Sequence, residues 1–369
     1  MVLTMNPTNL PSIRQAFAEA RRAPQPARHR DIAERLGLPE GCLVAAHAEA
    51  FDPAESPMRA RRLRPDWPAL VAALEPLGEV MALTRNASCV HEKLGVYRHA
   101  SVQGQGHVGL VLGGEIDLRV FYGRWAHGFA VEETQTDGTL QQSLQFFDAQ
   151  GVAIHKVFLK PHSDRAAFAA LVERHADAQA EAALQPRPPA APEPAREDAQ
   201  VDVAAWRQAW AGMRDPHEFF GLMRRFGLQR TQALRLAGPA FARPVEVGAA
   251  RQLLEQAAAA AVPIMVFVGN PGMIQIHTGP VHRVAVMGPW LNVLDAGFNL
   301  HLREDHIASA WWVSKPTEDG PVHSLELFDA AGETVAMFFG ERKPGRPERA
   351  DWQALVAALP PLAAAEALA

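Results

Sequence analysis

Cysteine is almost absent: the 369 residues hold two, Cys42 and Cys89. Two thiols exclude a disulfide framework and a Cys-rich metal site, and they suit a reducing compartment. No stretch approaches the ~18 consecutive apolar residues that a membrane-spanning helix requires. Met1 to Ala16 contains Asn, Pro, Ser and Arg where a secretory signal would place an apolar core, so a cytoplasmic protein is expected. There is no GxGxxG after a strand-like run, no P-loop, no GxSxG, no HExxH and no CxxC, which leaves nucleotide-fold, hydrolase-elbow and zinc chemistry without support. A net charge of −5 argues against general affinity for nucleic acid or anionic lipid.

Apolar residues make up 48% and charged residues 21%, enough for a sizeable core. At about 150 residues per domain, the length suggests two domains. Tyrosine numbers only 2, but histidine 15, and histidine is the commonest side-chain metal ligand.

The strongest internal signal is a duplication. Ser143 to Phe158, SLQFFDAQGVAIHKVF, matches Ser324 to Phe339, SLELFDAAGETVAMFF, at an offset of 181. Asn86 and Gly95 match Asn270 and Gly279 at 184, as do Arg119 with Arg303 and Phe168 with Trp352. Arg35-Leu36-Gly37-Leu38 matches Arg225-Phe226-Gly227-Leu228 at 190. Between the copies lies a Pro/Ala-rich segment, 177–200, too polar to fold alone and read as a semi-rigid exposed linker. The expected domains are 1–176 and 201–369. Each copy opens with helical periodicity (Arg28 to Leu36, Pro216 to Phe226) and continues with short β-rich runs. These are Val80 to Thr84, Val108 to Leu112, Ile116 to Tyr122 and Leu144 to Phe147, then Ile264 to Val268, Val281 to Met287, Leu291 to Leu294 and Ala308 to Val313. Helices followed by consecutive strands predict an α+β fold, each half a large antiparallel sheet with flanking helices.

One histidine has an informative setting. In Asp215-Pro216-His217-Glu218, Asp is a preferred N-cap, Pro suits the first helical position, and Glu completes a capping box. Gly227 supplies the stop. His217 then sits in the first turn, where the helix dipole disfavours imidazolium and leaves the neutral ring that binds metal. First-turn histidines are more often solvated polar residues. The repeat equivalent, however, is Ala27, so the duplicated fold does not require this one. Val90-His91-Glu92-Lys93 reads as a polar turn, and His277 and His282 as strand-face residues. Asp31 to Ala46, DIAERLGLPEGCLVAA, has the spacing of a helix-turn-helix, although Pro39 to Ala50 carries Glu40 and no Arg or Lys to enter a groove.

Taken together, TRNASCVHEKLGVY, IDLRVF, SLQFFDAQG with HKVF, RDPHEFFGLMRRFG, GNPGMIQIHTG and FFGERKPG resemble the hemin-degrading factor family from about Arg30 to Leu359. These are cytoplasmic haem-handling proteins of bacterial haem uptake. The resemblance implies tandem repeats with haem (iron protoporphyrin IX) held in the second half. It places His217 at the proximal iron ligand and Arg119 at a distal arginine. Arg230, Lys315 and Arg342 fall at basic positions around the propionates, and Phe267 is expected to contact the ring. Haem presents iron, an apolar ring and two carboxylates, and these residue types match each part. Two activities use the same residues. One is oxidative ring opening with iron release, Arg119 acting as catalytic donor and an external electron donor supplying reductant. The other is non-catalytic carriage of haem to a separate oxygenase. The implied partners are haem, a haem-importer ATPase or a haem oxygenase, with no nucleic acid and no membrane.

Overall fold

The computed structural model describes residues 5–23, 27–48, 56–177, 183–191, 195–342 and 345–363. Parts of the 177–200 segment, and Lys343 and Pro344 of FFGERKPG, lie outside the described residues.

The element order states the duplication directly. The first copy runs α1 (Leu10–Arg21), α2 (His29–Arg35), α3 (Glu40–Ala45), β1 (Met58–Leu63), α4 (Trp67–Ala72), then eight strands: β2 (Val80–Arg85), β3 (Cys89–Gly95), β4 (Ala100–Gln103), β5 (Val108–Leu112), β6 (Asp117–Phe121), β7 (His127–Thr134), β8 (Leu140–Phe147) and β9 (Ala153–Leu159), closed by α5 (Arg165–His175). The second repeats it: α6 (Val203–Ala211), α7 (Glu218–Phe226), α8 (Arg230–Ala237), β10 (Ala242–Val245), α9 (Ala249–Ala259), then β11 (Ile264–Asn270), β12 (Met273–Gly279), β13 (Val284–Met287), β14 (Trp290–Leu294), β15 (Phe298–Arg303), β16 (Ser309–Lys315), β17 (Val322–Phe328) and β18 (Thr334–Gly340), closed by α10 (Ala350–Ala357).

Two compact units divide the chain. The first comprises Met1–Arg85, Glu92–Ala190 and Asn270–Gln275; the second comprises Asn86–His91, Ala191–Gly269 and Ile276–Ala369. Within the first, β1-β7-β8-β9-β2 form an antiparallel run and β4-β5-β6 a meander. Within the second, β10-β16-β17-β18-β11 and β13-β14-β15 do the same. The fold is therefore α+β with antiparallel sheets, as the element pattern predicts.

The matched sequences make matched turns. Asp148 accepts the backbone N–H groups of Gln150 and Val152 at 2.9 and 2.8 Å; Asp329 accepts those of Ala331 and Glu333 at 2.9 and 3.0 Å. Gly151 and Gly332 both take φ of 78°, a left-handed conformation that a side chain would strain. The hairpin registers slip at the same place, Phe146/Phe147 and Leu327/Phe328.

Each long sheet is covered on both faces. In the second unit Leu325, Leu327, Phe338 and Val266 pack with α9 and α10, while Val313 and Phe328 pack with α6, α7 and α8. The first unit mirrors this, Leu144, Phe146 and Val157 packing with α4 and α5, and Phe129, Val131 and Phe147 with α1 to α3.

Three local expectations change. Val90-His91-Glu92-Lys93 lies within β3 and not in a turn: Cys89, Val90 and His91 are buried there, and Asn86 makes the turn by accepting the N–H groups of Ser88 and Cys89. His277 is on β12, but His282 lies outside any strand. The helix-turn-helix spacing does yield α2 and α3, yet every residue of α3 is buried. A recognition helix must present side chains to a groove, so this pair cannot read DNA. The described parts of the 177–200 segment are anchored. Leu184 is buried and its carbonyl accepts from Cys42 Sγ, while the Arg196 carbonyl accepts from Gln232.

Candidate functional site

The capping box at the start of α7 forms as its residues predict. Asp215 Oδ1 accepts the His217 N–H at 2.8 Å, and Glu218 Oε1 accepts the Asp215 N–H at 3.1 Å. The first turn is tightened: Glu218 and Phe219 donate to carbonyls three residues back, so regular α-helix starts at Glu218 with His217 flanking it in helical conformation. At the other end Gly227 adopts φ 68°, ψ 36°, and Leu228 N donates to Met223 O, a Schellman closure.

Asp215 has a second role. The same Oδ1 lies 2.6 Å from His217 Nδ1. A carboxylate can only accept, so Nδ1 is the donor in this contact, and Nε2 is the ring nitrogen left to face a ligand. The His217 backbone N–H, and after it the His217 ring, hold Asp215 below the usual carboxylate range against partial burial. The His217 side chain is 88% exposed, so Nε2 faces open space. An imidazole oriented through Nδ1 by a carboxylate is the arrangement that metal-ligating histidines use. Among the described residues no cluster of three His, Cys, Asp or Glu could hold a bare ion.

α7 is seated by tryptophan. Trp210 and Phe219 rings meet edge-on at 4.7 Å, and Trp206 and Trp210 Nε1 donate to Ala233 O and Ser314 O. Above Phe219 stand two cations, Lys315 Nζ at 4.7 Å and Arg230 Cζ at 5.2 Å. Both bind one carboxylate: Lys315 Nζ lies 2.7 Å from Glu326 Oε1, and Arg230 Nε 2.8 Å from Glu326 Oε2. Glu326 is fully buried. Burial alone would raise its pKa, but Arg230 and Lys315 outweigh it and hold the group down at about 2. Two cations on one anion leave a net positive charge, the requirement for receiving a carboxylate from a ligand.

The strand register extends this surface. Trp311, Glu326, Met337 and Phe267 lie opposite one another across β16, β17, β18 and β11, and therefore share one face. Phe267 and Phe339 stack edge-on at 5.0 Å. Phe267, Met337 and Phe339 are only half-buried, which leaves an apolar floor beside the charged trio. Arg342 lies 3.5 Å from Asp319, and its charge is felt at Asp215. Asp319 belongs to the loop after β16, tied to the start of α7 by the Arg214–Glu318 ion pair at 2.5 Å.

A family model described as the Haemin-degrading HemS.ChuX domain matches residues 43–175 and 227–359. The chain belongs to that family. Among its relatives is the hemin transport protein HmuS of Yersinia pestis, 40% identical over 94% of this chain and 97% of that protein. Among solved structures, the heme-binding protein PhuS of Pseudomonas aeruginosa, in its holo form, is 47% identical, with a TM-score of 0.90 over 97% of this chain and all of that one. The E. coli heme oxygenase ChuS is 36% identical, with a TM-score of 0.80 over 94% of this chain and all of that one.

Of the residues singled out from sequence, His217, Arg230, Lys315, Arg342 and Phe267 belong to the second unit and to the elements just described. Arg119 belongs to the first unit, on β6, where Asp117 binds its guanidinium. Sequence reasoning missed Glu326, although a Glu between Leu325 and Leu327 on a buried strand needs a cationic partner. It also missed a charge exchange between the copies. Arg230 corresponds to Glu40 and Met337 to Lys156. In the first unit Glu40 at the start of α3 binds Lys156 on β9 at 2.5 Å, and Arg85 as well. Lys315 corresponds by register to Glu133, which binds Arg21 at 2.7 Å. Two of these places thus carry opposite charges and the third trades lysine for methionine, so the two copies present different surfaces to a ligand.

Proposed function

We propose that the chain binds haem through Nε2 of His217 and serves haem utilisation in the cytoplasm. The observation that carries this reading is the His217 ring itself, exposed at Nε2 and oriented at Nδ1 by Asp215, beside a half-buried apolar floor and a net-positive trio. Haem supplies an iron with open coordination positions and a ring that can be oxidised. His217 binds, and Asp215 orients it. Phe219, Phe267, Met337 and Phe339 offer apolar contact and exclude water. Arg230, Lys315 and Arg342 counter carboxylate charge. Arg119, bound by Asp117, is the residue that the family resemblance would make the catalytic donor. The heme-binding and heme-oxygenase descriptions of PhuS and ChuS support the reading.

We favour oxidative degradation, with electrons supplied by a separate donor. Carriage to an oxygenase is the second reading, favoured by the exposure of a lone ligand from which cargo could leave. A haem-importer ATPase upstream and, for a carrier, a haem oxygenase downstream would be the partners.

Haemin titration of the wild type and of His217→Ala tests the binding claim. A sharp Soret band is expected for the wild type, with a displaced band and faster haem loss in the variant. Identical spectra and release rates would remove His217 from the site. The loaded protein is then given reductant and O2 with catalase present. Soret loss with stoichiometric iron release supports degradation, whereas loss abolished by catalase supports carriage.

A further inference from the structure

We propose that Tyr97 and His155, in the core of the first unit, form a redox pair that holds an oxidising equivalent. Tyr97 gives one electron to a strong one-electron oxidant, such as a peroxide-derived radical, while its hydroxyl proton passes to Nε2 of His155. The phenol is already bonded to its base: the Tyr97 hydroxyl donates to His155 Nε2 at 2.6 Å. The opposite ring nitrogen is tied down. His155 Nδ1 lies 2.8 Å from the Thr84 hydroxyl, Thr84 donates to Gln275 Oε1 at 2.8 Å, and Gln275 donates to Ala82 O at 2.9 Å. With its own proton committed to Gln275, the Thr84 oxygen accepts from Nδ1, which leaves the Nε2 lone pair aimed at Tyr97.

Both groups are buried, Tyr97 at 1% exposure and His155 at 2%. Burial pushes the phenol well above its ordinary range and the imidazole down to about 3, so both start uncharged. A phenol that has lost an electron is a far stronger acid than imidazolium, so the proton crosses as the electron leaves. The Tyr97 O–H bond breaks, an N–H bond forms at Nε2, and a neutral phenoxyl radical remains. The oxidant is reduced by one electron. An ascorbate-class reductant later returns that electron to Tyr97, and the proton goes back from Nε2 to oxygen. Trp125, which follows the exposed Gly123 and Arg124, supplies the route inward: its ring lies 6.4 Å from that of His155, and the Tyr97 ring 6.2 Å from it.

The duplication supplies the independent argument. Where the first copy has Tyr97, His155, Thr84 and Trp125, the second has Val281, Ala336, Val268 and Ile307, all buried. The fold closes these places with apolar side chains, so it does not demand a polar chain whose burial costs free energy. The pair belongs wholly to the first unit and stands apart from the His217 reading.

Flash photolysis of the full chain with a ruthenium polypyridine complex and a cobalt(III) quencher generates a one-electron oxidant, and freeze-quench EPR reads the product. The chain has only two tyrosines, so assignment is direct. A tyrosyl signal is expected in the wild type and in Tyr122→Phe, and its loss in Tyr97→Phe, with circular dichroism checking each fold. The radical should form more slowly in D2O than in H2O, and in His155→Gln more slowly by about tenfold or more. No tyrosyl signal in the wild type, a signal that survives Tyr97→Phe, or equal rates in H2O and D2O would each overturn the proposal. The deuterium comparison needs no variant, and a purely structural Tyr97–His155 bond would yield no radical at all.

Discussion

Asp215 makes two bonds to one residue, to the His217 backbone and to its ring, so cap and ligand orientation depend on a single carboxylate. Asparagine at this position keeps a cap acceptor but removes the negative charge facing Nδ1. Asp215→Asn should therefore release haemin about tenfold faster and lower the iron–histidine stretching frequency of the ferrous complex in resonance Raman. An unchanged frequency would mean that Asp215 only caps the helix. The capping box was legible because it depends on residues one to three apart. The ring contact was not, because it depends on His217 being helical although regular α-helix starts one residue later. Glu326 escaped notice for a related reason: its partners lie 96 and 11 residues away, on α8 and on β16.

At the level of elements, β17 joins α8 to β16 through that glutamate. Glu326→Leu would leave the buried Lys315 and the half-buried Arg230 together without an anion. A loss of about 3–5 kcal/mol in urea unfolding is expected, with partial recovery when Lys315→Met is added. The sign with pH follows from the depressed folded value. The contribution of Glu326 is present above the ordinary carboxylate range and fades as pH falls toward about 2. A second test concerns the α7 stop: Gly227→Ala forces a side chain into left-handed backbone and should cost about 1 kcal/mol. Strand order and turns were legible because DAQG and DAAG fix hairpins locally. Burial of α3 was not, because its sequence alone does not tell a recognition helix from one packed against β1 and β7.

Across the whole molecule, histidines buried uncharged set the acid limit. His155 receives the Tyr97 hydroxyl at Nε2 and donates through Nδ1 to Thr84, whose own proton goes to Gln275. Burial pushes it down to about 3, and pushes His47 down to about 4. Both bind protons more readily once unfolded, so stability is full above about pH 6.5 and declines as pH falls below it, by about 1.4 kcal/mol per pH unit for each group. Urea midpoints measured at pH 7 and 5 should differ accordingly, and His155→Gln should flatten the slope. A pH-independent midpoint would show that these rings protonate within the native state.

The first unit also contains Asn270–Gln275, which donates from Asn270 to Arg85 O and Ile154 O, donates from Gln275 to Ala82 O, and accepts from Trp125 at Gly272 O. On the ribosome, then, the leading copy is still missing six of its own residues when Ala190 is added. At ~5–20 residues per second, the 85 residues from there to Gln275 impose a wait of roughly 4–17 s. Completion of the earlier-made body is thus timed by translation of the later one.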